Sequence, residues 1–349
     1  MAAIVNKMKY VRLGNSGLKV SKIILGTALW GNPKFLPWAT IDEEAATAQV
    51  KLAYENGIQT FDTANIYSMG LAEKYLGNAI RKLNLPREEL VIMTKIGLPF
   101  ISLDDPEAHQ KYADPERNGI VNQKGLNRKY IFDAVKAALA RMQLEYIDVL
   151  QCHRFDPDTS IEETMRALHD VVQAGYVRYI GMSSCWAYQF QVMQNYAIKN
   201  NLTPFISMQN HYNLLYREEE REMFPTLKML GVGSTPWSPL AKGLLTRPLS
   251  AQTATIRGKG DPSLEKYKSA ATQPIVERVE ELAKKKGVSM AQISLAWLMH
   301  KEGVTAPIVG PTSLEKLQDL IGSVEVELSA EEMRSLEEPY VPVPIFGHS

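Results

Sequence analysis

The sequence predicts an α/β fold, a (β/α)8 barrel, and three observations carry that reading. Eight short apolar or β-branched runs recur along the 349 residues, with polar turns and amphipathic helical stretches between them. Strands and helices alternating in this way build a parallel sheet, and eight is the strand number of a closed barrel. Cap signals precede the helical stretches and glycines follow them. The composition, 45% hydrophobic and 22% charged, suits a globular chain with a large core.

Taken in order, residues 9–21, YVRLGNSGLKVSK, read as a β-hairpin turning at Asn15-Ser16-Gly17 and capping the barrel floor. The eight strands are KIILGT (22–27), TFDTA (60–64), LVIMTKI (90–96), IDVLQCH (147–153), VRYIGMSS (177–184), FISMQNH (205–211), GVGSTPW (231–237) and APIVG (306–310). Thr40-x-x-Glu43 and Ser160-x-x-Glu163 read as capping boxes, and helical spacing runs from Asp42 to Gly57 and from Asn127 to Met142. After Ser160, residues Ile161, Met165, Leu168 and Val172 recur every three or four positions, which makes one buried helix face. Gly57 and Gly175 stand where a helix end favours a left-handed residue. Residues 97–126 and 241–275, after strands three and seven, are long connections expected over the C-terminal face of the barrel, where such loops are usually functional. The tail 339–349, PYVPVPIFGHS, holds three prolines, cannot be helical and forms a third covering segment. No linker divides the chain, so 1–349 reads as a single domain.

Charge and composition exclude several function classes. Lys+Arg and Asp+Glu each number 39, so no overall positive field exists to draw in nucleic acid or an anionic membrane. The two cysteines, Cys152 and Cys185, cannot make a disulfide framework and fit a reducing compartment. MAAIVNKMKYVRLG lacks the apolar run of a signal peptide, and no stretch approaches a membrane span, so a cytoplasmic setting is expected. Six scattered histidines without HExxH or CxxC spacing predict no metal site, and the absence of GxGxxG argues against a Rossmann dehydrogenase. The charged run Arg217–Glu222 reads as a solvated helix start, and the lysines at 284–286 as the last turn of a helix. Nothing in the sequence specifies an oligomeric state.

The active site of a barrel lies where strands end and the following loops begin. Strand two delivers Asp62 and Tyr67, strand three Lys95 and strand four His153. Each residue alone has an ordinary reading as cap, packing or solvated charge, but they arrive on consecutive strands. Together they suit hydride addition to a carbonyl, which develops negative charge on oxygen and needs a proton donor. Tyr67 is the donor in this reading. Lys95 lowers its pKa from the ordinary value of about 10, Asp62 keeps Lys95 charged, and His153 hydrogen-bonds the substrate oxygen. Cys152, beside His153, points to the opposite face and packs against a helix. Trp30, Trp38, Phe155, Trp186 and Tyr212 border strand ends and are candidate walls of an apolar pocket.

LGTALWG, DTANIY, the Lys of MTKI, the His of LQCH, MQNHYNLLYREEERE and PWSPLAKGLLTRP resemble the aldo-keto reductases over essentially the whole chain. They are most similar to the fungal and bacterial branch that includes aryl-alcohol dehydrogenase-like reductases and versiconal hemiacetal acetate reductase. The resemblance implies a TIM-barrel fold, an Asp62-Tyr67-Lys95-His153 tetrad, NADPH (NADP+) as cofactor and a small-molecule carbonyl substrate. It places Gly26, Thr27 and Asp62 on the nicotinamide side, and Ser183, Ser184 and Gln209 at the carboxamide; Ser184 departs from the Ser-Asn pair common in the family. Trp237 either faces the nicotinamide or packs in the core. Ser238, Pro239, Leu240, Ala241, Lys242 and Gly243 resemble the segment covering the pyrophosphate, with Arg247 as a charged clasp. Gly310, Thr312, Ser313 and Lys316 resemble the site of the adenosine 2′-phosphate at the start of the last helix, where an anion is favoured; many relatives carry Gln in place of Lys316 and Asn in place of Leu320. Two other functions use the same residues: a Schiff-base barrel with Lys95 as the amine, and a nicotinamide-binding regulatory subunit resembling potassium-channel β subunits.

Overall fold

The computed structural model describes residues 8–34, 36–101 and 108–348. Strands β1 (Tyr10–Arg12) and β2 (Lys19–Ser21) form the antiparallel hairpin, with Val11 opposite Val20. Leu13 and Val20 cluster with Ile24, Val91, Met93, Val149, Ala306 and Ile308, so the hairpin closes the floor of the barrel interior. Gly14 permits that seating. Its φ is 60°, and a Cβ there would come within 2.5 Å of the Gly231 carbonyl oxygen.

The barrel strands are β3 (Ile24–Gly26), β4 (Thr60–Asp62), β5 (Val91–Ile96), β6 (Ile147–Cys152), β7 (Val177–Ser183), β8 (Phe205–Gln209), β9 (Gly233–Ser234) and β10 (Ile308–Val309). Each runs parallel to the next, and β10 lies beside β3. The ring closes between β9 and β10 by Thr305 N donating to Ser234 O (2.8 Å) and Ile308 N to Pro236 O (2.9 Å). All eight predicted runs carry a barrel strand. β9 is the shortest against its prediction, GVGSTPW, because Pro236 has no N–H for the ladder and serves only through its carbonyl.

The helices are α1 (Glu43–Glu55), α2 (Leu71–Lys82), a short α3 (Ala108–Ala113), α4 (Arg128–Met142), α5 (Ile161–Gln173), α6 (Ala187–Lys199), α7 (Met223–Leu230), a short α8 (Ile256–Gly260), α9 (Thr272–Lys286), α10 (Met290–His300), α11 (Leu314–Ile321) and α12 (Ala330–Glu337). Met165 and Leu168 bury the predicted face of α5, with Val172 at its edge. Ser160 caps α5 by accepting from Glu163 N (3.2 Å), while the Glu163 carboxylate accepts from Arg128 N (2.9 Å) instead of closing a box. Thr40 caps nothing. Asp42, directly before the first helical residue, accepts from Ala45 N (2.9 Å), and Thr40 stands two residues outside. Gly57 and Gly175 have φ of 82° and 77°, as a left-handed helix end requires. The lysines 284–286 form the last turn of α9. α11 is followed by α12, so the 310–316 segment opens the penultimate helix.

One further expectation is corrected. The run 217–222 is not a solvated helix start: Glu218 and Glu219 are buried in a 3-10 turn. The tail covers them. The Tyr340 hydroxyl donates to Glu218 (2.7 Å), Val343 N to the same oxygen (3.1 Å), and His348 pairs with Glu219 (2.8 Å). Segment 241–275 runs through 3-10 turns and α8 into the start of α9, anchored by buried Leu245 and Tyr267. Residues 102–107 of the other long connection lie outside the described residues. Among the described residues no helix is long and apolar enough to cross a membrane.

Candidate active site

The parallel register brings the predicted residues to one level. Lys95 of β5 sits opposite Gln151 of β6, and Asp62 ends β4 next door. His153 follows β6, held by its N–H on Ile96 O (2.8 Å). Lys95 Nζ donates to Asp62 Oδ2 (2.6 Å), to Thr63 O (2.8 Å) and to the Tyr67 hydroxyl (3.1 Å), which uses all three ammonium protons. The other Asp62 oxygen accepts from Gln151 Nε2 (3.0 Å) and Gln209 Nε2 (2.8 Å). Tyr67 and His153 meet edge to face with ring centroids 6.1 Å apart. All four residues of the predicted tetrad therefore converge, with Asp62 and Lys95 fully enclosed.

The electrostatics follow from that enclosure. Burial drives the Tyr67 phenol above its ordinary value, and Lys95 opposes without reversing it. The expected lowering by Lys95 is thus outweighed, and the phenol keeps its proton at neutral pH. Burial alone would push the Lys95 ammonium down, but Asp62 and Tyr67 more than offset it, so Lys95 stays charged. Burial, then Arg154 and Lys95, hold His153 well below the usual imidazole value and hence neutral. Its Nδ1 is buried without a hydrogen-bond partner among the described residues. Cys152 behaves differently from its neighbour. It is buried in the core against the helices, and burial pushes its thiol up.

A cavity of about 770 Å³ opens from this cluster. Of the residues singled out for a cofactor, Gly26, Asp62, Ser183, Gln209, Trp237 and Ser238 line it, as do Pro239, Leu240, Lys242, Gly243, Arg247, Gly310, Thr312 and Lys316. Thr27, Ser184 and Ser313 do not. Thr27 is enclosed, Ser184 accepts from Trp237 Nε1 (2.9 Å), and Ser313 caps α11. Trp237 stacks on buried His211, with ring centroids 4.2 Å apart, and also lines the cavity. Of the candidate aromatic walls only Trp38 lines the cavity. Trp30 and Tyr212 are core, Phe155 packs against the core, and Trp186 meets His348 of the tail.

The far part of the cavity is basic. Arg247 donates to Thr255 Oγ1 (3.1 Å), Lys316 to Thr312 Oγ1 (2.6 Å), and Arg257 pairs with Asp261 (2.9 Å). Arg257, Arg154, Asp319 and Gln151 were missed by sequence reasoning. Gln151 had a signal, since a Gln inside an apolar strand must find a partner. Arg257 lies in the same basic segment as Arg247, and Arg154 directly follows His153.

The sequence model of the Aldo/keto reductase family matches residues 22–340. The chain belongs to this family. A Schizosaccharomyces pombe protein provisionally named an aryl-alcohol dehydrogenase is 50% identical, with 97% of each chain covered. An aldo-keto reductase of Fusarium vanettenii is 47% identical over 98% of this chain and 94% of the relative. The versiconal hemiacetal acetate reductase of Aspergillus parasiticus is 45% identical over 97% of this chain and 98% of the relative. The resemblance seen in the sequence motifs is confirmed, and this aldo-keto reductase is an oxidoreductase.

Proposed function

We propose that this aldo-keto reductase, with residues 1–349 acting as one barrel domain, uses NADPH to reduce an aldehyde or ketone to the alcohol, with Tyr67 as proton donor. The carbonyl is of the aryl or secondary-metabolite kind that the relatives' names indicate. The observation that carries the reading is the hydrogen-bonded chain Asp62–Lys95–Tyr67, ending beside neutral His153 at the cavity wall.

The residues fit the cofactor. Ser183 and Gln209 offer polar groups beside the tetrad for a carboxamide, and Lys242, Arg247, Arg257 and Lys316 offer four cations for phosphates. NADPH supplies the hydride when bound. Tyr67, protonated at neutral pH, donates its proton to the carbonyl oxygen as negative charge develops there. The Lys95 ammonium stabilises the phenolate left behind, and solvent returns the proton. His153, neutral, hydrogen-bonds the same oxygen and orients it. The unpaired cysteines Cys152 and Cys185 suit a reducing, cytoplasmic compartment. A Schiff-base role for Lys95 is disfavoured by the same geometry, because an ammonium held charged by Asp62 has no free electron pair.

Tyr67→Phe tests the reading. Turnover of aryl aldehydes is expected to fall by about 10²–10⁴-fold, the usual worth of a positioned general acid. NADPH binding, followed by fluorescence titration, should be retained. Near-normal turnover in this variant would sink the mechanism.

A further inference from the structure

Arg154 stands apart from the other cations of the cavity. It follows His153 at the reacting end, lines the cavity with Tyr67 and Trp237, and is partly withdrawn from water. One guanidinium nitrogen, Nη1, donates to the His153 carbonyl (2.5 Å) and reaches the Ser183 hydroxyl (3.5 Å). Among the described residues Nε and Nη2 have no hydrogen-bond partner, and no carboxylate pairs with the group. The nearby acids are already committed. Both Asp62 oxygens are taken by Lys95, Gln151 and Gln209, and Asp156, two residues along, accepts from Leu126 N (2.6 Å) and Thr159 (2.7 Å).

A half-buried cation without an anion is costly unless a ligand brings one. The cofactor's phosphates have Lys242, Arg247, Arg257 and Lys316 elsewhere in the cavity, and its carboxamide is neutral. The substrate is what remains. A planar guanidinium fork matches a carboxylate geometrically as well as electrically. We propose that Arg154 is a specificity-determining residue that anchors a carboxylate on the substrate while its carbonyl meets Tyr67 and His153, so that the preferred substrates are carboxylate-bearing aldehydes or ketones. This rests on the carbonyl-reductase reading above.

The test compares 4-carboxybenzaldehyde with its neutral methyl ester, methyl 4-formylbenzoate, at saturating NADPH. Wild-type kcat/KM should favour the carboxylate by about tenfold or more, as removal of a charge-assisted contact implies. In Arg154→Gln the preference should collapse through a raised KM for the acid. Arg154→Lys should keep part of it, which separates the loss of charge from a general disturbance of the fold. Equal treatment of the two aldehydes by the wild type, or a preference surviving in Arg154→Gln, overturns the assignment while leaving the carbonyl-reductase reading intact. If neither aldehyde is reduced with NADPH or NADH, that reading fails and the assignment falls with it.

Discussion

At the strand end of the cavity Lys95 has Asp62, Thr63 and Tyr67 for all three of its protons, whereas at the α11 end Arg247 and Lys316 have, among the described residues, only the hydroxyls of Thr255 and Thr312. The first set is carried by barrel strands and the turn after β4, and its charges are compensated within the protein. The second is carried by segment 241–275 and the first turn of α11; of its four cations Lys242 and Arg257 share the carboxylate of Asp261, and Arg247 and Lys316 have no carboxylate partner among the described residues. The two ends are therefore prepared for different tasks. A compensated network fixes the position and protonation of its members before any ligand arrives. An under-compensated basic wall is completed by an anion that comes and goes.

The largest effect is expected at Lys95. Lys95→Met leaves Asp62 buried beside two amides with no countercharge, and removing one partner of a buried pair typically costs about 3–5 kcal/mol. Stability measured by urea denaturation should drop by that order, and turnover should disappear. Adding Asp62→Asn to Lys95→Met should recover much of the stability and none of the turnover, because the buried charge is gone but so is the stabilisation of the Tyr67 phenolate. Wild-type stability in the single variant would mean that the pair is not compensating at all.

The two ends were also unequally legible in the sequence. The strand end could be read because period-2 apolar runs locate strand C-termini, and Asp62, Lys95 and His153 stand at or beside three of them. Tyr67 needed only the five residues after Asp62. Gln151 was passed over because a polar residue within a strand reveals its partner only once the neighbouring strands are in register. The loop end depends on how 241–275 folds. Arg247 was visible as a charge in a recognisable motif, but Arg257 reaches the cavity through α8, which no periodicity in TIRGKG announces. The run 217–222 failed for a further reason: Glu218 and Glu219 are covered by Tyr340 and His348, more than 120 residues away, and local pattern carries no such information. At Thr40 two competing cap signals lay two residues apart, and adjacency to the helix decided for Asp42.

A smaller effect sharpens the loop end. Arg247, with no carboxylate partner among the described residues, should be the stronger phosphate contact, so Arg247→Ala is expected to weaken NADPH binding by about tenfold or more. Lys316 is exposed, and solvent screens its charge, so Lys316→Ala should act by less. Its diagnostic is selective: the ratio of kcat/KM with NADPH to that with NADH should fall several-fold if Lys316 meets the 2′-phosphate. An unchanged ratio would move cofactor discrimination to Arg247 or Arg257.

The smallest expected effect separates the two ends by pH. Burial lowers the Lys242 pKa to about 8, with Arg257 and Lys266 pushing the same way against the opposing charge of Asp261. Lys242 is therefore charged below about pH 8 and neutral above it. NADPH, whose pyrophosphate and 2′-phosphate together carry about four negative charges above pH 7, prefers the charged form, so its affinity should hold steady up to about pH 8 and weaken above it, by at most about tenfold per pH unit. Tyr67 and Lys95 both have pKa values raised by their surroundings, so neither changes charge in this window and the strand end contributes nothing to the slope. Titrating NADPH by fluorescence from pH 7 to pH 9 isolates the term. Lys242→Met should bind more weakly at pH 7 and lose the slope, because its side chain has no proton to release. A wild-type affinity that stays flat to pH 9 would place Lys242 away from the phosphates, leaving its contact with Asp261 and Ser263 as its whole role.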